Sequence, residues 1–159
     1  MIVKRTHDLE LIESVMLRDD IFAVIAEDGQ TKEDQDFDTY KNCFLSLAVD
    51  GQLIGVYVIH PQNQITLEIH AHVLPEYRKQ HSKESGRKAL EWIINNIKQC
   101  EKVIANVPSI YENVYLFCLA NGFTEEGVNR LSYKKDGKVS DQYMLGITKS
   151  EIESFLRGK

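Results

Sequence analysis

At 159 residues and a net charge of -5, the chain has room for one hydrophobic core but not for two. Its 43% hydrophobic and 27% charged residues are the proportions of an ordinary globular domain. No run approaches the roughly 20 apolar residues of a membrane span, and residues 1–7 lack a signal-peptide apolar region. The negative balance argues against broad nucleic-acid binding, which draws its affinity from phosphate neutralisation; a local basic run does lie between Arg78 and Lys88. Cys43, Cys100 and Cys118 are widely spaced and form no Cys-x-x-Cys pair. A reducing, cytoplasmic setting without disulfides is therefore expected.

The chain opens with a strand over 1–5, then a helix over 8–16 whose Leu9, Ile12 and Met16 recur at helical spacing, with Thr6 or Asp8 as cap. A second helical stretch, 21–26, ends at Asp28-Gly29. The acidic segment 30–41 reads as a solvated loop; it lacks the central Gly and closing Glu of a calcium site. Strands 44–49 and 53–59 face each other across Asp50-Gly51, a hairpin signal because such turns require positive φ. Residues 65–73 then alternate strictly, with Ile65, Leu67, Ile69, Ala71 and Val73 on one face and Thr66, Glu68, His70 and His72 on the other.

After Pro75 a basic loop is expected to lead into a helix over 83–99, its stripe formed by Leu90, Ile93, Ile94 and Ile97, with Trp92 as packing. A strand over 103–107 stops at Pro108, and a helix over 111–121 ends at Gly122. Strands 129–133 and 142–147 flank Asp136-Gly137. A last helix starts at Ser150, with Glu153 completing a capping box. This mixed order, βααβββαβαββα, predicts an α/β domain around one sheet.

The run Val73-Leu74-Pro75-Glu76-Tyr77-Arg78 entering a helix, and the tail Gly122-Phe123-Thr124-Glu125-Glu126-Gly127-Val128-Asn129-Arg130 followed by Asp136-Gly137-Lys138 and Asp141, resemble the GNAT superfamily of acyl-CoA N-acyltransferases. Ribosomal-protein N-terminal acetyltransferases and phage-encoded relatives carry similar tails. The resemblance covers nearly the whole chain and implies a single GNAT domain over 1–159, a mixed central sheet with helices on both faces, and acetyl-CoA as co-substrate. It implies cofactor contacts from the backbone of His72, Val73 and Leu74, from the loop residues Arg78, Lys79, His81, Ser82, Lys83, Ser85 and Gly86, and from Asn113. The family's glycine-rich diphosphate loop is altered here: only Gly86 remains, and a helix N-terminus capped by Ser82 or Ser85, with Lys79, Lys83 and Arg87, is expected to hold the diphosphate. A solvated basic loop with one helix cap is the alternative.

For the chemistry, Glu68 matches the region where many family members place a general base, while His70 is better tuned to neutral pH. A solvated strand face would show the same alternation. The Glu-x-His-x-His spacing raises a metal site, but no fourth ligand has usable spacing and none is expected. The tyrosine that protonates the leaving thiolate in many relatives is replaced by Cys118, with Tyr115 or Tyr111 as substitutes and simple packing of Cys118 as the alternative. The resemblance thus implies acetyl transfer to a primary amine: a protein N-terminus, a lysine or a small amine. The acidic loop, lying where relatives bind acceptors, suggests a cationic one. A GNAT-fold binding or assembly module without catalysis is the competing expectation, and an acyl-CoA sensor a third. No nucleic-acid or membrane partner is expected, and the chain is expected to be a monomer or homodimer.

Overall fold

The computed structural model describes residues 1–158, and its elements follow the expected order. Strand β1 (Ile2–Thr6) leads into helices α1 (Leu9–Met16) and α2 (Asp19–Ile25), then strands β2 (Cys43–Val49), β3 (Gln52–Pro61) and β4 (Thr66–Val73). Helix α3 (Pro75–Asn96), strand β5 (Lys102–Pro108), helix α4 (Glu112–Ala120), strands β6 (Thr124–Lys135) and β7 (Lys138–Thr148), and helix α5 (Lys149–Arg157) complete it. The segment between α2 and β2 is irregular apart from a 3-10 turn, Lys32–Asp34.

The seven strands form one sheet in the order β1-β2-β3-β4-β5-β7-β6. All neighbours are antiparallel except β4 and β5, which run parallel. The alternation along the strands sorts the core onto two faces. Phe44, Val56 and Val58 pack under α1 and α2 against Ile12, Val15, Met16 and Ile21. Leu45, Leu47, Tyr57, Ile59 and Leu67 pack under Ala89, Leu90 and Ile93 of α3. Asp8 caps α1 by accepting the Leu11 N–H at 3.1 Å. The β2–β3 turn takes positive φ at Asp50 and Gly51, as expected.

Three boundaries differ from the expectation. The β6–β7 hairpin is roughly twice as long as its apolar pattern suggested, and its turn end is held by tertiary contacts. Asp28 accepts the backbone N–H groups of Asp136 and Gly137, each at 2.8 Å. Lys135 Nζ donates to the α2 carbonyl of Ala23 at 2.7 Å, a favourable place for a cation. The capping box of α5 is Thr148 with Glu151, not Ser150 with Glu153, since β7 runs straight into the helix.

The third difference matters most. No loop separates β4 from α3: Leu74 is the N-cap, Pro75 the first helical residue, and the helix continues unbroken for 22 residues. Residues 79–84 contain no breaker, and a proline whose φ suits the first turn starts the helix. Gly86 then falls inside the helix, where it permits α3 to approach the end of α4. A Cβ there would lie 2.4 Å from the Oδ1 of Asn121, itself 2% exposed. Gly86→Ala should therefore destabilise the fold, overpacking by about 1–3 kcal/mol against a helix-propensity gain of about 1 kcal/mol. Thermal unfolding checks this, since an unpacked site would show a stabilised variant.

Candidate active site

Strands β4 and β5 pair only at Thr66–Lys102, Leu67–Val103 and Glu68–Ile104. Beyond that point β4 continues to Val73 and β5 to Pro108 without a shared ladder. Leu74 N–H donates to Ile54 O at 2.9 Å, and the alternation of an antiparallel ladder then turns the N–H groups of Ala71 and Val73 away from β3, toward the gap. A cavity of about 430 Å³ occupies this region and is lined from both faces of the sheet: Leu90, Phe117 and Cys118 on the α3–α4 side, Met16, Ile25 and Phe44 on the α1–α2 side.

A polar cluster sits on the α1–α2 side. Glu68 and His60 lie opposite each other in the β3–β4 register, which with the two-residue period puts His60, Glu68 and His70 on one face. His70 Nε2 is 3.3 Å from Glu68 Oε1. The same oxygen accepts Asn106 Nδ2 at 3.2 Å, and the other carboxylate oxygen accepts Gln62 Nε2 at 2.7 Å. The His70 hydrogen bond holds the Glu68 carboxyl below its usual range, with help from Asn106 and against the cost of burial. The His60 ring meets His70 edge-on at 5.1 Å, and its Nδ1 is 2.6 Å from Asn42 Oδ1. Burial, and then His70, lower its pKa. His60, His70, His72 and Asn106 line the cavity, whereas Glu68 stands behind His70. Among the described residues, no group of three His, Cys, Asp or Glu side chains is arranged to hold a metal ion.

The expected diphosphate loop is not formed. The N–H groups of residues 79–86 lie inside α3, where the helix's own i→i−4 bonding uses them. At the true helix start the first residue is a proline, without an N–H, and the second is Glu76. Both carboxylate oxygens of Glu76 take Arg18 at 2.8 Å, which keeps its pKa low. The positive end of α3 thus already carries an anion. Arg78 Nε donates to Val73 O at 2.8 Å. Ser85 is fully buried, bonded to Tyr57 OH at 2.9 Å and Ser82 O at 2.7 Å. Arg87 bonds the last carbonyls of α5, including Phe155 O at 3.0 Å. His81 is half-buried on the helix, with its ring 6.4 Å from Tyr77, and Lys79 and Lys83 are exposed. These residues do not fit a nucleotide diphosphate, because the loop's backbone donors have become helix.

The remaining expectations divide. His72 lines the cavity; Val73 borders the gap through its backbone, and Leu74 is buried against the α1–α2 cluster. Tyr115 donates to Glu125 at 2.6 Å, its ring lies tilted against Tyr143 with centroids 4.7 Å apart, and it is not a wall of the cavity. Asn113 is exposed on α4 and is not a wall of the cavity. Cys118 does line the cavity, but burial pushes its thiol up to about 11. Tyr111 also lines it and donates to Val24 O at 3.1 Å. Sequence reading missed His60, Asn42 and Asn106. The strand expected over 53–59 stops one residue short of His60, and no spacing signal ties Asn42 or Asn106 to Glu68.

Burial, then the charges of His70, Arg78 and His60, push His72 down to about 3. The unfolded chain therefore binds a proton that the folded one refuses between pH 6.5 and about 3. This contribution to stability is complete above pH 6.5 and is lost as the pH falls through that window, by at most about 1.4 kcal/mol per pH unit. His72→Gln should flatten the fall of melting temperature between pH 7 and 5. An unchanged slope would place the proton uptake elsewhere.

The chain resembles solved acetyltransferases in fold. Against the spermidine N-acetyltransferase of Vibrio cholerae, solved in complex with CoA and spermine, identity is 14% and the TM-score 0.79, covering 96% of this chain and 97% of that one. Against the ribosomal-protein-alanine N-acetyltransferase of Brucella melitensis the values are 16% and 0.69, covering 93% and 99%. A GNAT-family acetyltransferase of Bacillus anthracis gives 22% and 0.60, over 69% and 67%. No curated protein matches. The architecture, a mixed sheet with helices on both faces and splayed central strands, is the GNAT fold. A family model described as "Protein of unknown function (DUF2824)" matches residues 3–158, so the chain belongs to that family.

Proposed function

We propose that the chain is an N-acyltransferase that moves an acyl group, acetyl in the simplest case, from a thioester to an amine. The observation that carries this reading is the cavity at the β4–β5 gap, lined from both faces of the sheet with the Glu68-backed His70 in its wall. A transfer reaction needs two substrates to meet end to end, and a passage through the sheet supplies that geometry. The Vibrio cholerae structure, with CoA and spermine bound, supports a thioester donor and an amine acceptor. Glu27 and Asp36 in the α1–α2 end of the wall favour a cationic acceptor over an anionic one.

The hydrogen bonds support a division of roles. An ionised Glu68 only accepts, so His70 Nε2 carries the proton between them and Nδ1 keeps the lone pair. As the amine nitrogen bonds to the thioester carbon, His70 Nδ1 takes the proton it sheds. The Val73 N–H, turned into the gap, donates to the carbonyl oxygen as negative charge builds there. The carbon–sulfur bond then breaks, and the thiolate takes a proton relayed through water from His70, which returns to its neutral form. Cys118, held at about 11, binds its own proton too tightly to supply it. His70 is the base, and Glu68 positions it.

The alternative is a binding or assembly module on the same fold, and the lost diphosphate loop is what favours it. Acetyl transfer from acetyl-CoA and from S-acetylpantetheine to a panel of polyamines, lysine peptides and N-terminal peptides, read by mass spectrometry, separates the two. Transfer to at least one amine is expected; none from either donor would leave the module. His70→Gln should lower kcat about 100-fold or more. Glu68→Gln should lower kcat less than His70→Gln does, with KM for the donor little changed. An unchanged kcat would remove Glu68 from its positioning role.

A further inference from the structure

The donor side of the site is incomplete in a way that specifies the donor. We infer that the chain recognises its thioester donor through the pantetheine arm alone and provides no site for the nucleotide of coenzyme A. This rests on the acyltransferase reading and narrows it.

The positive half of the argument is the gap. Beyond Glu68, β4 presents the N–H groups of Ala71 and Val73 along an edge with no ladder partner in β5. A pantetheine arm is an extended chain with two amides, and it can add to such an edge as a further strand would. The α3–α4 end of the cavity, walled by Leu90, Phe117, Cys118 and Phe123, suits its methylene and gem-dimethyl groups. At about 430 Å³ the cavity falls within the range of small-ligand sites, about 300–1,000 Å³.

The negative half is what lies past the gap. An anion there would meet a helix whose first residue has no N–H and whose second is a carboxylate held by Arg18. Of the cations along α3, Arg78 is bonded to Val73 O, Arg87 to the end of α5, and Lys88 to Glu91 at 2.8 Å. Lys79 and Lys83 stand exposed, where solvated charges add little affinity. Coenzyme A and the 4′-phosphopantetheine of a carrier protein share the arm, so both qualify as sources of the thioester.

Calorimetric titration of the intact chain with pantetheine, 4′-phosphopantetheine and coenzyme A tests this directly. Dissociation constants within about threefold of one another are expected. Coenzyme A binding tenfold or more tightly than pantetheine would overturn the inference while leaving the acyltransferase reading in place. No binding of any of the three at millimolar concentration would overturn both. The doubly substituted chain K79E/K83E, altered only at exposed positions, should bind coenzyme A as the parent does. A tenfold loss would place the diphosphate on α3 after all. Adding a carrier protein loaded with acetyl-phosphopantetheine as donor, beside acetyl-CoA, distinguishes the two sources: higher kcat/KM for the loaded carrier identifies the protein-borne arm.

Discussion

The parallel pairing of β4 with β5 stops after three residue pairs, and most of what is distinctive about this molecule follows from that early stop. A continuous ladder would have satisfied the backbone of Ile69 to Val73 and sealed the sheet. The strands diverge instead, leaving backbone donors along an open edge and a passage between the two faces. The sheet tolerates this because both diverging strands are anchored on their far sides: β4 by an antiparallel ladder to β3 extending to Gly55–Val73, β5 by one to β7 extending to Pro108–Gln142. Each strand therefore keeps a paired neighbour where the other diverges.

Two elements frame the opening with opposite consequences. On the α1–α2 side the β6–β7 hairpin is tied down by Asp28 and Lys135, which brings Tyr133 and Gln142 into the cavity wall beside His60 and Asn106. Asn106 and Gln62 hold the Glu68 carboxylate, and the His60 ring, itself bonded to Asn42, packs edge-on against His70. On the α3 side the helix begins the moment β4 ends. A helix cannot offer its internal N–H groups to a ligand, so lengthening α3 toward its N-terminus removes an anion site. Arg18 and Glu76 meet at that corner and brace the start of α2 against the start of α3.

Legibility in the sequence followed the range of the interactions. Element order, the Asp50-Gly51 and Asp136-Gly137 turns, and the cap at Asp8 were readable because turn chemistry and periodicity act within a few residues. The α3 start was misjudged because a family pattern suggested a loop, while the residues themselves, a proline at the first turn followed by Lys, Gln and Glu, favour helix. Local propensity was the better guide there. The hairpin length was missed because its outer ladder is held by α2, far away in sequence. Within the site, the shared face of Glu68, His70 and His72 was legible from period two. Which of them meets the cavity was not.

By itself, then, the sequence determined the α/β order, the GNAT-like plan and the strand on which Glu68, His70 and His72 share a face, since these rest on spacing along one segment. Only the tertiary structure decided that His70 faces the cavity with Glu68 behind it, that His60 and Asn106 complete the cluster, and that residues 79–86 lie within one continuous helix. Those outcomes depend on which backbone groups are already spent and on which segments meet across the sheet. Residues such as Glu68 and Asn106, 38 positions apart in sequence, come within hydrogen-bonding distance only after the strands that carry them have taken their places.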